Sequence, residues 1–177
     1  EQYHYDHNNE LIKKVFADGS SNLMERDHLG RLLSHTDAMG RVTRYQYSNE
    51  GQVETIVRPD GSILHFDYDD SYRLIRKTDA EGNADSYSYD EAGNLMLHTD
   101  AMKHTTHFEY QENGLLSKVT DAGGSTTEYH YNANNQPDTV TDCSGYQTKL
   151  AYTPEGQLAR ITDALGQHTE YHYDLNQ

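Results

Sequence analysis

The sequence has no tryptophan, one cysteine (Cys143), three prolines, and only 14 lysines and arginines against 29 acidic residues. Each shortage excludes something. A single cysteine cannot build an intrachain disulfide framework or a thiolate zinc site. A formal charge of −15 repels phosphate backbones and anionic lipid surfaces, so neither nucleic acid nor a membrane surface is an expected partner. No apolar run approaches the ~18 residues that suggest a membrane-spanning helix. The chain opens in mid-pattern, without a charged-then-apolar segment resembling a secretory signal. The hydrophobic fraction, 34%, is low for a compact globule, where about 45–50% counting Gly is usual. The aromatic material lies mostly in one residue type with a polar tip, 15 Tyr beside 3 Phe. That composition suits a thin layer better than a thick core.

The tyrosines are strictly spaced. Tyr5, Tyr47, Tyr68, Tyr89, Tyr110, Tyr131, Tyr152 and Tyr173 recur every 21 residues, with Arg26 in the one remaining place. Two residues earlier a second column holds Tyr3, Met24, Tyr45, Phe66, Tyr87, Phe108, Tyr129, Leu150 and Tyr171. Together the two columns contain 13 of the 15 tyrosines, without one insertion or deletion. A glycine column follows the same period at Gly19, Gly40, Gly61, Gly82, Gly124, Gly145 and Gly166, with Lys103 as its exception. Asp37, Asp79, Asp100, Asp121, Asp142 and Asp163 precede it. An aliphatic residue stands six after each tyrosine of the first column, at Leu11, Leu32, Val53, Leu74, Leu95, Leu116 and Leu158, and Pro137 replaces it once. A fixed period of this length marks a repeat array. The whole chain, 1–177, reads as about eight such units, with a partial unit at either end.

One unit can be read physically. Thr43-Arg44-Tyr45-Gln46-Tyr47 alternates apolar and polar residues in β-favouring types, the pattern of a half-buried strand. Ser48-Asn49-Glu50-Gly51 has the small polar first residue and fourth-position glycine of a type I turn. Gln52 to Val57 is a second short strand, and a D-x-x-G turn, clearest as Asp79-Ala80-Glu81-Gly82, returns the chain. The predicted fold is all-β: tandem 21-residue antiparallel hairpins in a continuous curled sheet of ~17 strands and ~80 Å width. A parallel β-solenoid with one repeat per coil is the alternative, and two reversing turns per unit favour hairpins.

The odd period constrains register, because successive units change parity. One of the two turns is expected to absorb the extra residue as a glycine bulge at Gly51, and the next turn to be free of one. That register sets Tyr47 opposite Val53, Tyr45 opposite Thr55, Thr43 opposite Val57, and Phe66 beside Val53. Arg44, Gln46 and Glu54 then fall on an opposite, polar face.

Copies such as Thr78-Asp79-Ala80-Glu81-Gly82 through Tyr87-Ser88-Tyr89-Asp90-Glu91-Ala92-Gly93-Asn94-Leu95 resemble the Rhs or YD repeat along the whole chain. The Tyr-Asp pair itself stands at Tyr5-Asp6, Tyr68-Asp69, Tyr89-Asp90 and Tyr173-Asp174. The resemblance implies an internal section of a large secreted or surface protein whose repeats spiral into a hollow shell around a C-terminal toxin domain. The implied partners are neighbouring repeats and that enclosed domain; self-association through open sheet edges is expected separately, from their unpaired backbone N–H and C=O groups. The family's D-P-x-G-L-like self-cleavage segment has no match; Pro59-Asp60-Gly61 is only a turn. Neither autoproteolysis nor toxicity carries over to this chain.

Catalytic and metal sites are not expected, and no cofactor is implied. His104 and His107, or His168 and His172, have helical ligand spacing, but on a strand the first pair points to opposite faces. His4, His130 and His172 share a column, and even adjacent members of a column are two strand spacings apart, far beyond a zinc ligand's reach. Asp67, Asp69 and Asp70 form the densest acidic cluster, which calcium could use; an aspartate at a turn start more simply bonds its own backbone. Arg26, Tyr72, Lys103, Pro137 and Cys143 break the repeat but share no chemistry. The expected function is a non-catalytic wall. The runner-up is a tandem-hairpin module binding carbohydrate or a cell surface, although such sites favour the tryptophan that this chain lacks.

Overall fold

A computed structural model describes residues 1–173. Among them the chain forms seventeen β-strands and no helix. Strands of six residues, such as Val42–Tyr47 and Thr126–Tyr131, alternate with strands of five, such as Val53–Val57 and Pro137–Thr141. Neighbours in sequence pair antiparallel. This excludes the solenoid, whose coils would stack in parallel. The chain divides into two compact units, Glu1–Ser86 and Tyr87–Gln177, and the boundary falls inside strand Ala84–Tyr89.

The sixteen turns among the described residues share one geometry. The first residue of each turn donates its N–H to the carbonyl four residues on, and the fourth residue donates back to it: Ser48 N to Gln52 O at 2.8 Å and Gly51 N to Ser48 O at 3.1 Å, then Arg58 N to Ser62 O and Gly61 N to Arg58 O, both at 2.9 Å. This is a type I turn followed by a left-handed residue. The glycine column, Gly40, Gly61, Gly82, Gly124, Gly145 and Gly166 included, holds that left-handed position, with φ between 79° and 86°. Lys103 and Tyr72 hold it at 69° and 62°, a conformation that costs a non-glycine residue about 1–2 kcal/mol.

The glycine bulge expected at Gly51 is there, but the next turn, expected without one, carries the same bulge at Gly61, so the two turns of a unit cancel and leave the odd residue over. The register shifts instead within the strands, in seven hairpins and always at the first tyrosine column. Tyr47 faces Val53, but Gln46 faces Thr55, so Glu54 is the extra residue of a bulge. The expected register therefore holds only next to the turn. Tyr45 faces Ile56 rather than Thr55, Arg44 rather than Thr43 faces Val57, and Thr43 pairs back to His35. Across the next turn Ile56 faces Leu64 and Thr55 faces His65, a register that does not set Phe66 beside Val53. The bulge also takes Glu54 off the alternation that assigned it to the polar face, and it borders one groove with Phe66 and Tyr68.

The layer is thin. Among the described residues the only buried side chains are Leu64, Ala84 and Ser34, all in the first unit. The face holding Tyr45, Ile56, Leu64, Phe66 and Tyr68 is half-buried or better, whereas Arg44, Gln46, His65 and Asp67 on the other face are exposed.

Candidate functional site: tyrosine bridges and turn carboxylates

The ladder of each five-residue strand toward the following strand ends early. Thr55 pairs with His65, Thr139 with Lys149, and no rung follows toward the Tyr-Asp turn. Val53 and Pro137 thus lie two residues beyond the last rung, each with a carbonyl that needs a donor. The first tyrosine column supplies it. Tyr68 Oη donates to Val53 O at 2.9 Å and Tyr152 Oη to Pro137 O at 2.7 Å. Tyr47 reaches Leu32 O, Tyr110 Leu95 O, Tyr131 Leu116 O and Tyr173 Leu158 O, at 2.8–3.0 Å. In every case the acceptor lies fifteen residues earlier, in the aliphatic column of the preceding unit.

Two sequence exceptions now have a reason. Arg26 replaces a tyrosine and still donates, from Nε to Leu11 O at 3.4 Å and from Nη1 to Gly30 O at 2.9 Å. Pro137 replaces an aliphatic residue at a position whose carbonyl, not its N–H, is used. The second aromatic column makes ring contacts across the strand instead. Tyr45 faces Ile56, Phe108 Val119, Tyr129 Val140 and Leu150 Ile161, and Tyr87 stacks on His98 with centroids 4.9 Å apart. No hydroxyl is required there, so Phe, Met and Leu serve. Of the predicted tyrosines, Tyr3, Tyr5, Tyr171 and Tyr173 are exposed.

Burial raises the hydroxyl pKa of Tyr47, Tyr68, Tyr110, Tyr131 and Tyr152 above the ordinary tyrosine value. The neutral, donating form is thereby favoured.

At the turns, the first-position aspartates accept from their own backbone. Asp37 Oδ1 takes the N–H of Met39 and of Arg41, both at 2.9 Å, and Oδ2 takes Arg41 Nε at 2.7 Å. Asp69 does the same with Ser71 and Arg73. The Arg41 and Arg73 backbone N–H groups are the main reason that these two carboxyls titrate below the usual range. Asn83 and Asn94 side chains play that part for Asp79 and Asp90. Ser48, Asn132 and Thr153 stand in for aspartate elsewhere. The aspartate of the Tyr-Asp pair and that of the Thr-Asp turn therefore do one job. Asp174 lies outside the described residues.

Among the described residues, no three His, Cys, Asp or Glu side chains converge as metal ligands. His104 pairs with its turn's Asp100 at 3.0 Å, while His107 lies in strand Thr105–Tyr110. Asp69, in the densest acidic cluster, is engaged within its own turn.

An array of identical turns bridged by tyrosine hydroxyls defines a tyrosine-dependent β-hairpin repeat protein. The chain belongs to the teneurin YD-shell family, whose profile matches residues 82–177, and the RHS repeat profile matches residues 26–63. No curated protein matches by sequence. Two similar solved structures are a crystal structure of TcdB2-TccC3 without the hypervariable C-terminal region (TM-score 0.65) and one of TcdB2-TccC3 (TM-score 0.64). Each is 15% identical and covers 97% of this chain and 12% of that chain. At that identity the likeness shows the fold, and this chain spans a small part of those proteins.

Proposed function

We propose that this chain is a non-catalytic wall section of a hollow β-shell that encloses a toxin or effector domain in a longer, secreted or surface-exposed protein. One observation carries the reading: the characteristic residues of the repeats are engaged in holding the array together, within their own turn or to the preceding repeat. The tyrosine hydroxyls bond carbonyls fifteen residues away and the turn aspartates bond their own backbone, which is how a wall is made and not how a reactive site is made. Family membership and the fold likeness to TcdB2-TccC3 support it. The partners on this reading are neighbouring repeats and the enclosed domain, and open edge strands would pair with further chains. A carbohydrate-binding role is less well supported, because the ring columns are mostly half-buried and the hydroxyls of the first column are engaged internally.

Limited proteolysis of the full-length protein tests the proposal. A domain downstream of the repeats is expected to resist protease until the repeats unfold. Cleavage of that domain as fast as of its free form, or binding of the repeats on a glycan array, would overturn it.

A further inference from the structure

We infer that the repeat's rung-free half is a binding groove for a basic polypeptide segment that presents arginine side chains. This goes beyond the wall reading, since a wall needs no such groove. The bulged strand and the following tyrosine strand share no rungs beyond Thr55–His65 in the first unit or Leu97–His107 in the second. A groove opens at that place in each: ≈ 480 Å³ beside Glu54, Phe66 and Tyr72, and ≈ 560 Å³ beside Met96, Phe108 and Glu112. The two are the same place in the repeat, 42 residues apart.

The linings of the two grooves agree in chemistry. The first has Glu50, Glu54 and Asp70 beside Phe66 and the ring of Tyr72, which is 58% exposed, and Asp67, whose side chain alternates to the other face, also lines it. The second has Glu109 and Glu112 around Met96, Phe108 and Tyr110. Asp69 and Asp90 also border the grooves but are engaged within their own turns. Neither lining contains a lysine or an arginine among the described residues, whereas a third groove, at the opposite turns, contains Lys149. Carboxylates beside accessible aromatic faces select a cation that can stack and pair at once. A guanidinium does both, being planar, weakly hydrated and bidentate; an ammonium is a compact, strongly hydrated point charge.

The test uses the whole chain and a fluorescein-labelled Gly-Arg-Gly-Arg-Gly-Arg peptide at physiological salt, read by anisotropy. The Arg peptide is expected to bind more tightly than its Lys counterpart. Tyr72→Gly, which gives the turn its preferred residue and so keeps the fold, is expected to weaken binding by about two- to fivefold. Glu54→Gln with Asp70→Asn is expected to weaken it by about two- to tenfold. Asp18→Asn with Glu81→Gln removes the same charge at the opposite turns and should leave binding unchanged. Equal losses in both double variants, no change with Tyr72→Gly, or equal affinity for the Lys peptide would overturn the proposal and leave only attraction to a −15 chain.

Discussion

The two units share turns and tyrosine bridges but differ in the row beside the second aromatic column. In the first unit that row is Lys14, His35, Ile56 and Lys77, facing Tyr3, Met24, Tyr45 and Phe66. In the second it holds His98, Val119, Val140 and Ile161, three of them facing Phe108, Tyr129 and Leu150. The fold tolerates cations in one row and aliphatics in the other because a long side chain can lie along an aromatic ring. Lys14 Nζ sits 5.4 Å from the Tyr3 centroid and pairs with Glu1 at 3.2 Å. The framework therefore resides in the turns and hydroxyl bridges, and the row between them is free to vary in polarity.

The largest effect that bears on this comparison should come from truncating a bridge. Tyr131→Ala removes a ring and a hydroxyl bond, and about 2 kcal/mol of destabilisation is expected, below the value for a closed core because the layer is thin. Tyr72→Gly should instead stabilise by about 1 kcal/mol by relieving a left-handed tyrosine. Chemical denaturation of both variants checks the pair, and shifts of the same sign would contradict the assignment.

Exchanging the rows should be asymmetric. Val140→Lys places a cation on an aliphatic stretch between Tyr129 and Thr148, at an expected cost of about 1–2 kcal/mol. Lys77→Val, between Phe66 and Asp85, should stay within about 0.5 kcal/mol. Equal costs would show that the two rows are constrained alike.

A finer contrast separates the aromatic columns. Tyr131→Phe leaves the Leu116 carbonyl without its donor and should cost about 1 kcal/mol, whereas Tyr129→Phe should be close to neutral. Hydrogen exchange of the neighbouring strands measures both.

The smallest expected effect is on pH dependence. The folded-state pKa values of the bridging tyrosines are raised, so their contribution is complete below the ordinary tyrosine value of about 10 and is lost as pH climbs through the raised values. Thermal melts across that range should fall for the wild type and fall less for Tyr131→Phe.

Much of this was legible in the residues. The period of 21, the two aromatic columns and the fourth-position glycines are local patterns, and they led to antiparallel hairpins without a structure. Arg26, Tyr72 and Pro137 looked like unrelated irregularities, because their reasons are a shared carbonyl bridge and a shared backbone conformation. The importance of the tyrosine hydroxyl also had a faint signal: the first column admits only Tyr and one arginine, both donors, while the second admits Phe, Met and Leu.

An odd period requires one unpaired residue per unit, and that much is readable from the residues alone, together with strand, turn and repeat. It did not say where the residue goes. Turn chemistry suggested Gly51, yet both turns take the same left-handed fourth residue, and the excess falls at Glu54 within the strand. The alignment of paired strands sets that, and with it which carbonyl each tyrosine meets. A turn is settled by four or five neighbouring residues, whereas a bulge and a bond spanning fifteen residues depend on how two strands align.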